Sequence, residues 1–397
     1  MTTTGQTSGT RLRAASLALA VAVMLALAVA AQGQTFKVLY NFEGSDGAYP
    51  LGGLVQDAKG NLYGTTSAGG SHYAGAVFEV PTTGGEKVLY SFWCQGRDGG
   101  SPYGGLLQDA KGNLYGTTYY CGVDYYGVVF KLVAKSGEEQ ALYGFSGGAD
   151  GEYPYAGLVQ DAAGNLYGTT GYGGTSNDGT VFKLSKAGNE TVLYSFTGST
   201  GEYPLGGLVA GKGFDDLFGT TEEGGKYGYG TVFKVASKTG KETVLHSFEY
   251  NGSDGAYPGY GYLVQDPQGN FYGTTEVGGP SGAGTVFKMT SSGTETVLYS
   301  FSGGADGGYP FAGVILDKNG NLYGTTYEGG DLKCGNVYGC GTVFMLDTSG
   351  KETVLHSFKD SDGAYPYAGL IRDAKGNLYG TTYAGGHDYG VVFKLTP

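Results

Sequence analysis

The string Leu62-Tyr63-Gly64-Thr65-Thr66 recurs from Leu114, Leu166, Leu217 (with Phe218 for Tyr), Phe271, Leu322 and Leu378, at spacings of 52, 52, 51, 54, 51 and 56 residues. A period of this size belongs to a supersecondary unit that leaves its faces bare and must stack on neighbours to bury them. Each unit holds four apolar runs, which in the third unit are residues 157–161, 166–170, 180–184 and 191–196. Gly, Asn and Asp turns separate them, and Val, Leu, Tyr and Phe fill them, so they read as strands of five or six residues. Alternation is weak, as expected for sheets covered on both faces. Seven such units predict an all-β, seven-bladed β-propeller of four-stranded blades over residues 35–397. A β-solenoid is the alternative, but it repeats at shorter periods.

The chain ends predict how the ring closes. Residues 36–42 match the fourth run of a unit, and residues 391–395 match the third. The strand count comes out even only if the N-terminal strand completes the last blade, a clasp that removes an exposed edge.

A fifth of the residues are Gly, 79 of 397, but they occupy fixed turn positions and not a low-complexity tract. Formal charge is −12. Only Arg11 and Arg13 are charged before residue 35, leaving 36 acids against 22 bases, a net −14. That balance argues against nucleic acid or an anionic membrane as partner. Arg11 and Arg13 precede an apolar run from Ala14 to Ala31, and Ala28-Val29-Ala30 supplies small residues for cleavage. Residues 1–30 therefore read as a signal peptide, with retention as an anchor the alternative. The expected product is a secreted, periplasmic or cell-surface monomer with no membrane span once the leader is removed.

The repeated strings Asp-Gly-x-Tyr-Pro, Gly-Leu-Val-Gln-Asp, Gly-Asn-Leu-Tyr-Gly-Thr-Thr and Gly-Thr-Val-Phe-Lys resemble the GloVer (choice-of-anchor) tandem repeat of exported bacterial proteins, from about Phe36 to Pro397. The resemblance implies export and a β-propeller-like repeat, and it carries over no catalytic residue. Members typically bear C-terminal sorting or anchoring segments; the stop at Pro397, directly after the last strand, leads to the expectation of none here. The strand order also resembles NHL-type propellers, which implies innermost-to-outermost placement. The loop between strands two and three would then share a face, the loop face, with the connectors between blades.

Connectors carry Asp46, Asp98, Asp150, Asp254, Asp306 and Asp362, with Thr200 in the remaining unit. A ring of carboxylates at a channel mouth would suit Ca²⁺ or a cationic ligand, and Asp360-Ser361-Asp362-Gly363 is a fragment of a calcium loop without its other ligands. Recurrence in nearly every unit favours instead an Asp that caps its own turn, so no cofactor is expected. Asp57, Asp109, Asp161, Asp266, Asp317 and Asp373 open hairpin turns. His246 and His356 replace a strand Tyr and read as structural. His72 and Tyr73 in the first unit and His387, Asp388 and Tyr389 in the last occupy equivalent loops, which ring closure makes neighbours. With Tyr125 of the second unit they form the candidate ligand patch, or else are solvated loop residues. Tyr119, Tyr120, Tyr125, Tyr126, Tyr172, Tyr227, Tyr229, Tyr327, Tyr338 and Tyr383 crowd the same loops, to stack on sugars, contact protein or pack Gly-rich turns.

No nucleophile elbow, zinc-protease helix, phosphate loop or dinucleotide fingerprint is present. The expected function is a non-catalytic binding or scaffold module engaging a glycan or protein through the loop face. The alternative is an extracellular propeller enzyme, lactonase-like or a polysaccharide lyase or hydrolase, which would gather blade-specific polar residues at one channel mouth.

Four cysteines behind a leader predict disulfides. Cys94 stands where other units have Gly44 or Gly303, and Cys121 where others have Gly69 or Gly173, neighbouring loops on one face. These pair as Cys94–Cys121, and Cys334 with Cys340 within one enlarged loop. Unreduced protein labelled with a thiol reagent under denaturing conditions is expected to take up none; two or more equivalents would exclude the pairing.

Overall fold

The computed structural model describes residues 34–334 and 337–397. The leader read over residues 1–30 lies outside them. Seven antiparallel four-stranded sheets follow one another in chain order. The last contains residues 371–372, Leu378–Thr382 and Val391–Thr396, and the N-terminal strand Thr35–Asn41 pairs with Val391–Thr396 to complete it. No helix among the described residues is long and apolar enough to cross a membrane.

Each residue of the repeated pentad has a separate job. Leu62 is buried in the core, and Tyr63 reaches back to the turn, donating to Asp57 Oδ2 at 3.2 Å. Gly64 pairs with Phe78 of the third strand, and a Cβ there would lie 2.6 Å from the Phe78 ring tip. The same contact, 2.6–2.7 Å, recurs at all seven copies, so any larger residue would push out the central phenylalanine. Thr65 donates across the blade boundary to the Gly104 carbonyl at 3.2 Å, as Thr117 does to Ala156 at 2.7 Å and Thr274 to Ala312 at 2.8 Å. Thr66 is fully buried and accepts the Ala76 N–H at 3.1 Å, fixing where the third strand begins.

The blades meet through phenylalanine. Phe42, Phe92, Phe145, Phe196, Phe248, Phe301 and Phe358, each the residue directly after a fourth strand, pack edge-on against Phe78, Phe130, Phe182, Phe233, Phe287, Phe344 and Phe393 of the following blade, with centroids 4.8–5.4 Å apart. All are buried, and truncating one to Ala would cost about 3–5 kcal/mol. Phe42 directly follows the N-terminal strand, so the closing seam is built like the other six.

Innermost strands pair over only two residues, as at Val55–Gln56, where a five-residue run was expected. Near the axis the blades crowd: a Cβ on Gly52 would sit 2.5 Å from the Gly104 carbonyl oxygen. The backbone there is wedged between the next blade and the Thr65 side chain of its own second strand, 2.8 Å from the same Cβ. The connectors and the loops between strands two and three do share one face, joined by bridges such as Ala48 with Ala68 and Glu202 with Glu223. Cys94–Cys121 and Cys334–Cys340 are both bonded, with Cα atoms 5.1 and 5.5 Å apart. Cys94 and Cys121 keep the positive φ of the glycines they replace, 57° and 72°.

The outer part of every seam is polar. Connector Asp residues accept local backbone N–H groups, from Glu43 to Asp46 and from Ser146 to Asp150 at 2.9 Å each, and Thr200 accepts from Thr197 in the odd blade. The fourth-strand Tyr hydroxyl donates to the same carboxylate, as Tyr143 does to Asp150 at 2.9 Å and Tyr299 to Asp306 at 3.0 Å. These carboxylates are turn caps and do not form a ring at the channel.

Beside them, Glu86, Glu139, Glu190, Glu242, Glu295 and Glu352 open the fourth strands. Burial, and in all but Glu242 a neighbouring connector Asp, pushes each up to about 7. A carboxyl whose pKa rises on folding adds stability that is complete below its unfolded value and lost as pH climbs through 7. Asp150, Asp306 and the turn Asp residues are held below the usual range by their hydrogen bonds, against a desolvation that raises them; their contribution disappears as pH falls below about 4. The melting temperature is therefore expected to be higher near pH 5 than near pH 8, with the slope flattened when the six glutamates become Gln. Equal melting at the two pH values would show these carboxyls to be freely solvated.

Candidate functional site

The channel on the axis encloses about 300 Å³ and is closed on one side by aromatic side chains. Its wall mixes glycine and alanine with leucine, isoleucine and valine. A further column is the residue after each connector Pro, Leu51, Tyr103, Tyr155, Leu205, Phe311 and Tyr367, with Tyr260 in the fifth blade, which carries an extra residue. Tyr155 and Tyr367 hydroxyls meet at 3.1 Å. Tyr260 sits among Tyr155, Phe311 and Tyr367 with centroids 5.3–5.5 Å away. The extra residue also swings Tyr262 across the channel, where its hydroxyl accepts the Gly157 N–H at 2.8 Å. The axis is thus plugged below an aromatic mouth.

The residue before each connector Pro is left-handed, with φ of 53–58° at Tyr49, Ser101, Tyr153, Tyr203, Tyr257, Tyr309 and Tyr365. L-residues occupy that region at a cost, and here hydrogen bonds on both sides hold it. The Tyr49 N–H donates to the Tyr389 carbonyl, and the Tyr49 carbonyl accepts from the Ser67 N–H. This arrangement sets the residue after each Gly-Thr-Thr against the mouth. In blades two, six and seven it is Tyr119, Tyr327 and Tyr383, which stack on Tyr153, Tyr365 and Tyr49 at 4.9–5.0 Å.

In the fourth and fifth blades the same position is Glu222 and Glu276. The aromatic belt is broken there by two adjacent half-buried carboxyls. Tyr260 donates to Glu222 Oε1 at 3.3 Å. Burial, then the charges of Glu276 and Glu223, push Glu222 up to about 7 against that hydrogen bond; burial raises Glu276 as well. Burial also raises the Tyr155, Tyr260 and Tyr367 hydroxyls, which remain protonated donors at any ordinary pH. Near neutrality Glu222 can therefore give or accept a proton, among aromatic faces and fixed hydroxyls. Comparing the seven copies column by column, Ser67, Tyr119, Gly171, Glu222, Glu276, Tyr327 and Tyr383, is the sequence signal that exposes this pair.

The residues singled out from sequence sit further out. His387 Nδ1 lies 2.6 Å from Glu43 Oε1, and Tyr389 packs beside Tyr49 at 6.1 Å. His72 lies against Trp93 at 5.2 Å, over the next seam. Tyr73 and Tyr125 are exposed, and Tyr73, Tyr125 and Asp388 have positive φ. Among the described residues no hydrogen bond or ring contact joins His72 or Tyr73 to His387, Asp388 or Tyr389.

The chain matches the Gloeobacter/Verrucomicrobia repeat over residues 26–216 and 215–397. No curated protein matches it. A streptogramin B lyase structure is similar at 14% identity and TM-score 0.59, covering 91% of this chain and 97% of that one. Virginiamycin B lyase from Staphylococcus aureus is similar at 12% and 0.58, covering 92% and 99%. A puromycin-hydrolysing peptidase from Mycobacterium tuberculosis is similar at 11% and 0.54, covering 85% of this chain and 49% of that one. At these identities the likeness is one of fold.

The Glu222 carboxyl, followed by carbon NMR, is expected to titrate near pH 7, and Glu276→Gln to lower that midpoint by removing a neighbouring negative charge. A midpoint in the ordinary carboxylate range in the unaltered protein would show the mouth to be open to water.

Proposed function

We propose that this chain, which belongs to the Gloeobacter/Verrucomicrobia repeat family, binds a glycan at the loop-face mouth of its channel. The broken belt carries this reading: aromatic faces from blades two, six and seven stand beside two carboxyls from blades four and five. Sugar rings offer C–H faces that stack on tyrosine and hydroxyls that bond carboxyls, and a mouth with one acidic side orients such a ligand. A ring of identical blades would hold nothing in one direction. The outer rim, with His72, Tyr73 and Tyr125 together with His387, Asp388 and Tyr389, extends the contact for a longer ligand. A leader over residues 1–30 and two disulfides support export to an oxidising compartment.

A second reading rests on Glu222. A half-buried carboxyl at about 7 beside another carboxyl is suited to general acid or base work, which would make the mouth the site of a lyase or hydrolase.

A glycan array followed by calorimetry tests both readings. Neutral glycans are expected to bind, and E222Q with E276Q to weaken them about tenfold, the worth of one hydrogen bond to a charged group. Turnover that E222Q abolishes while binding survives would select the enzyme. A wild-type protein that neither binds nor converts any glycan would reject both.

A further inference from the structure

The seven outer seams form an internal comparison set. In four of them a fourth-strand Tyr, a connector Asp and the next blade's Glu come together: Tyr40, Asp46 and Glu86; Tyr90, Asp98 and Glu139; Tyr143, Asp150 and Glu190; Tyr299, Asp306 and Glu352. A fifth has Thr200 in place of Asp. In a sixth, His356 Nε2 bonds Asp362 at 3.1 Å, and Phe36 stands where the Glu would be, stacked on the imidazole at 3.7 Å. Only the seam between blades four and five combines His, Asp and Glu, as His246, Asp254 and Glu295.

There the His246, Asp254 and Glu295 ligand atoms all lie within 4.8 Å of one another. His246 Nε2 is 3.4 Å from Asp254 Oδ2, beyond a good hydrogen bond and close to the ligand-to-ligand spacing of a tetrahedral ion with bonds of about 2.0–2.1 Å. His246 Nε2 and Glu295 Oε1 are sealed from solvent and make no well-formed hydrogen bond, Nε2 facing the Asp254 carboxylate alone. The unpartnered Glu oxygen recurs in other seams, but the unpartnered imidazole nitrogen is found among the described residues only here. The Asp254 carboxylate is oriented by the Glu249 and Gly255 N–H groups at 3.0 and 2.7 Å, and the His246 ring is held edge-on by Phe248 at 4.7 Å. Such outer partners hold metal ligands in place.

We propose that His246, Asp254 and Glu295 bind a divalent transition-metal ion of the zinc class, which clasps blade four to blade five. Imidazole with two carboxylates suits zinc better than calcium, which takes six to eight oxygens. The ion replaces the hydroxyl-to-carboxylate bond that tyrosine makes in other seams. Three protein ligands leave a fourth position for water.

The molecule supplies its own control. His246→Tyr recreates the Tyr, Asp and Glu set of four other seams, so it should fold while losing the nitrogen ligand. Equilibrium dialysis of the intact protein against Zn²⁺, with Co²⁺ absorption as a second readout, is expected to find one equivalent bound. H246Y and E295Q should each weaken binding by more than about tenfold, the low end of the loss when even an outer partner of a ligand is removed. E222Q with E276Q should leave it unchanged, and Zn²⁺ should raise the melting temperature of the wild type but not of H246Y. Absence of bound metal in the wild type, or equal binding by H246Y, would overturn the proposal.

Discussion

The contact on which the molecule depends is the edge-on phenylalanine pair at each blade boundary. A single blade is a twisted sheet with both faces apolar, and it has no stable existence until a neighbour covers each face. The third-strand phenylalanine needs room inside its own sheet, which explains the glycine of the pentad, and a partner from the preceding blade, which explains the phenylalanine directly after each fourth strand. Because the pair recurs at all seven seams, including the one made by Phe42, the ring has no weak first or last blade. Closure replaces the capping repeats that an open array would require.

Outside this apolar layer the seams are polar, and there variation is tolerated. The tyrosine, aspartate and glutamate of a seam sit behind the phenylalanine pair, so a change of one member alters local chemistry without unseating the blades. His356 with Phe36 turns the layer into a stacked aromatic contact. His246 with Asp254 and Glu295 turns it into a set of donors without a hydrogen. The half-buried glutamates are protonated more readily in the folded state than in the unfolded one, so their contribution is greatest on the acidic side of neutrality.

At the axis the constraint is reversed. The blades approach so closely that glycine and alanine are needed where neighbouring backbones touch, and the side chains that shape the mouth come chiefly from the column after the connector proline and the column after Gly-Thr-Thr. Those two columns decide what the mouth is. Tyrosine in most blades makes a stacking surface; glutamate in two adjacent blades makes one side acidic. The extra residue of the fifth blade places Tyr260 beside Glu222 and sends Tyr262 across the channel, so the asymmetry of charge and the asymmetry of shape lie together.

By itself the sequence determined the ring. The period of Leu-Tyr-Gly-Thr-Thr, the matching of residues 36–42 to a fourth strand and the pairing of cysteines in place of loop glycines all follow from local pattern, because strand, turn and register are short-range properties repeated seven times. The loop face was legible for the same reason. What tertiary structure decided is which residues meet across blades. Glu222 and Glu276 are 54 residues apart and look like ordinary polar loop residues until neighbouring blades bring them to one side of the mouth. His246 and Glu295 belong to different blades, and their nearness depends on the seam. His72 and His387 occupy equivalent loops of adjacent blades, yet each lies over the seam that follows its own blade, so equivalence in the repeat placed them in a row and not face to face. A repeat unit encodes its own strands; the contacts between units arise only when the ring closes and burial sets which side chains share a wall.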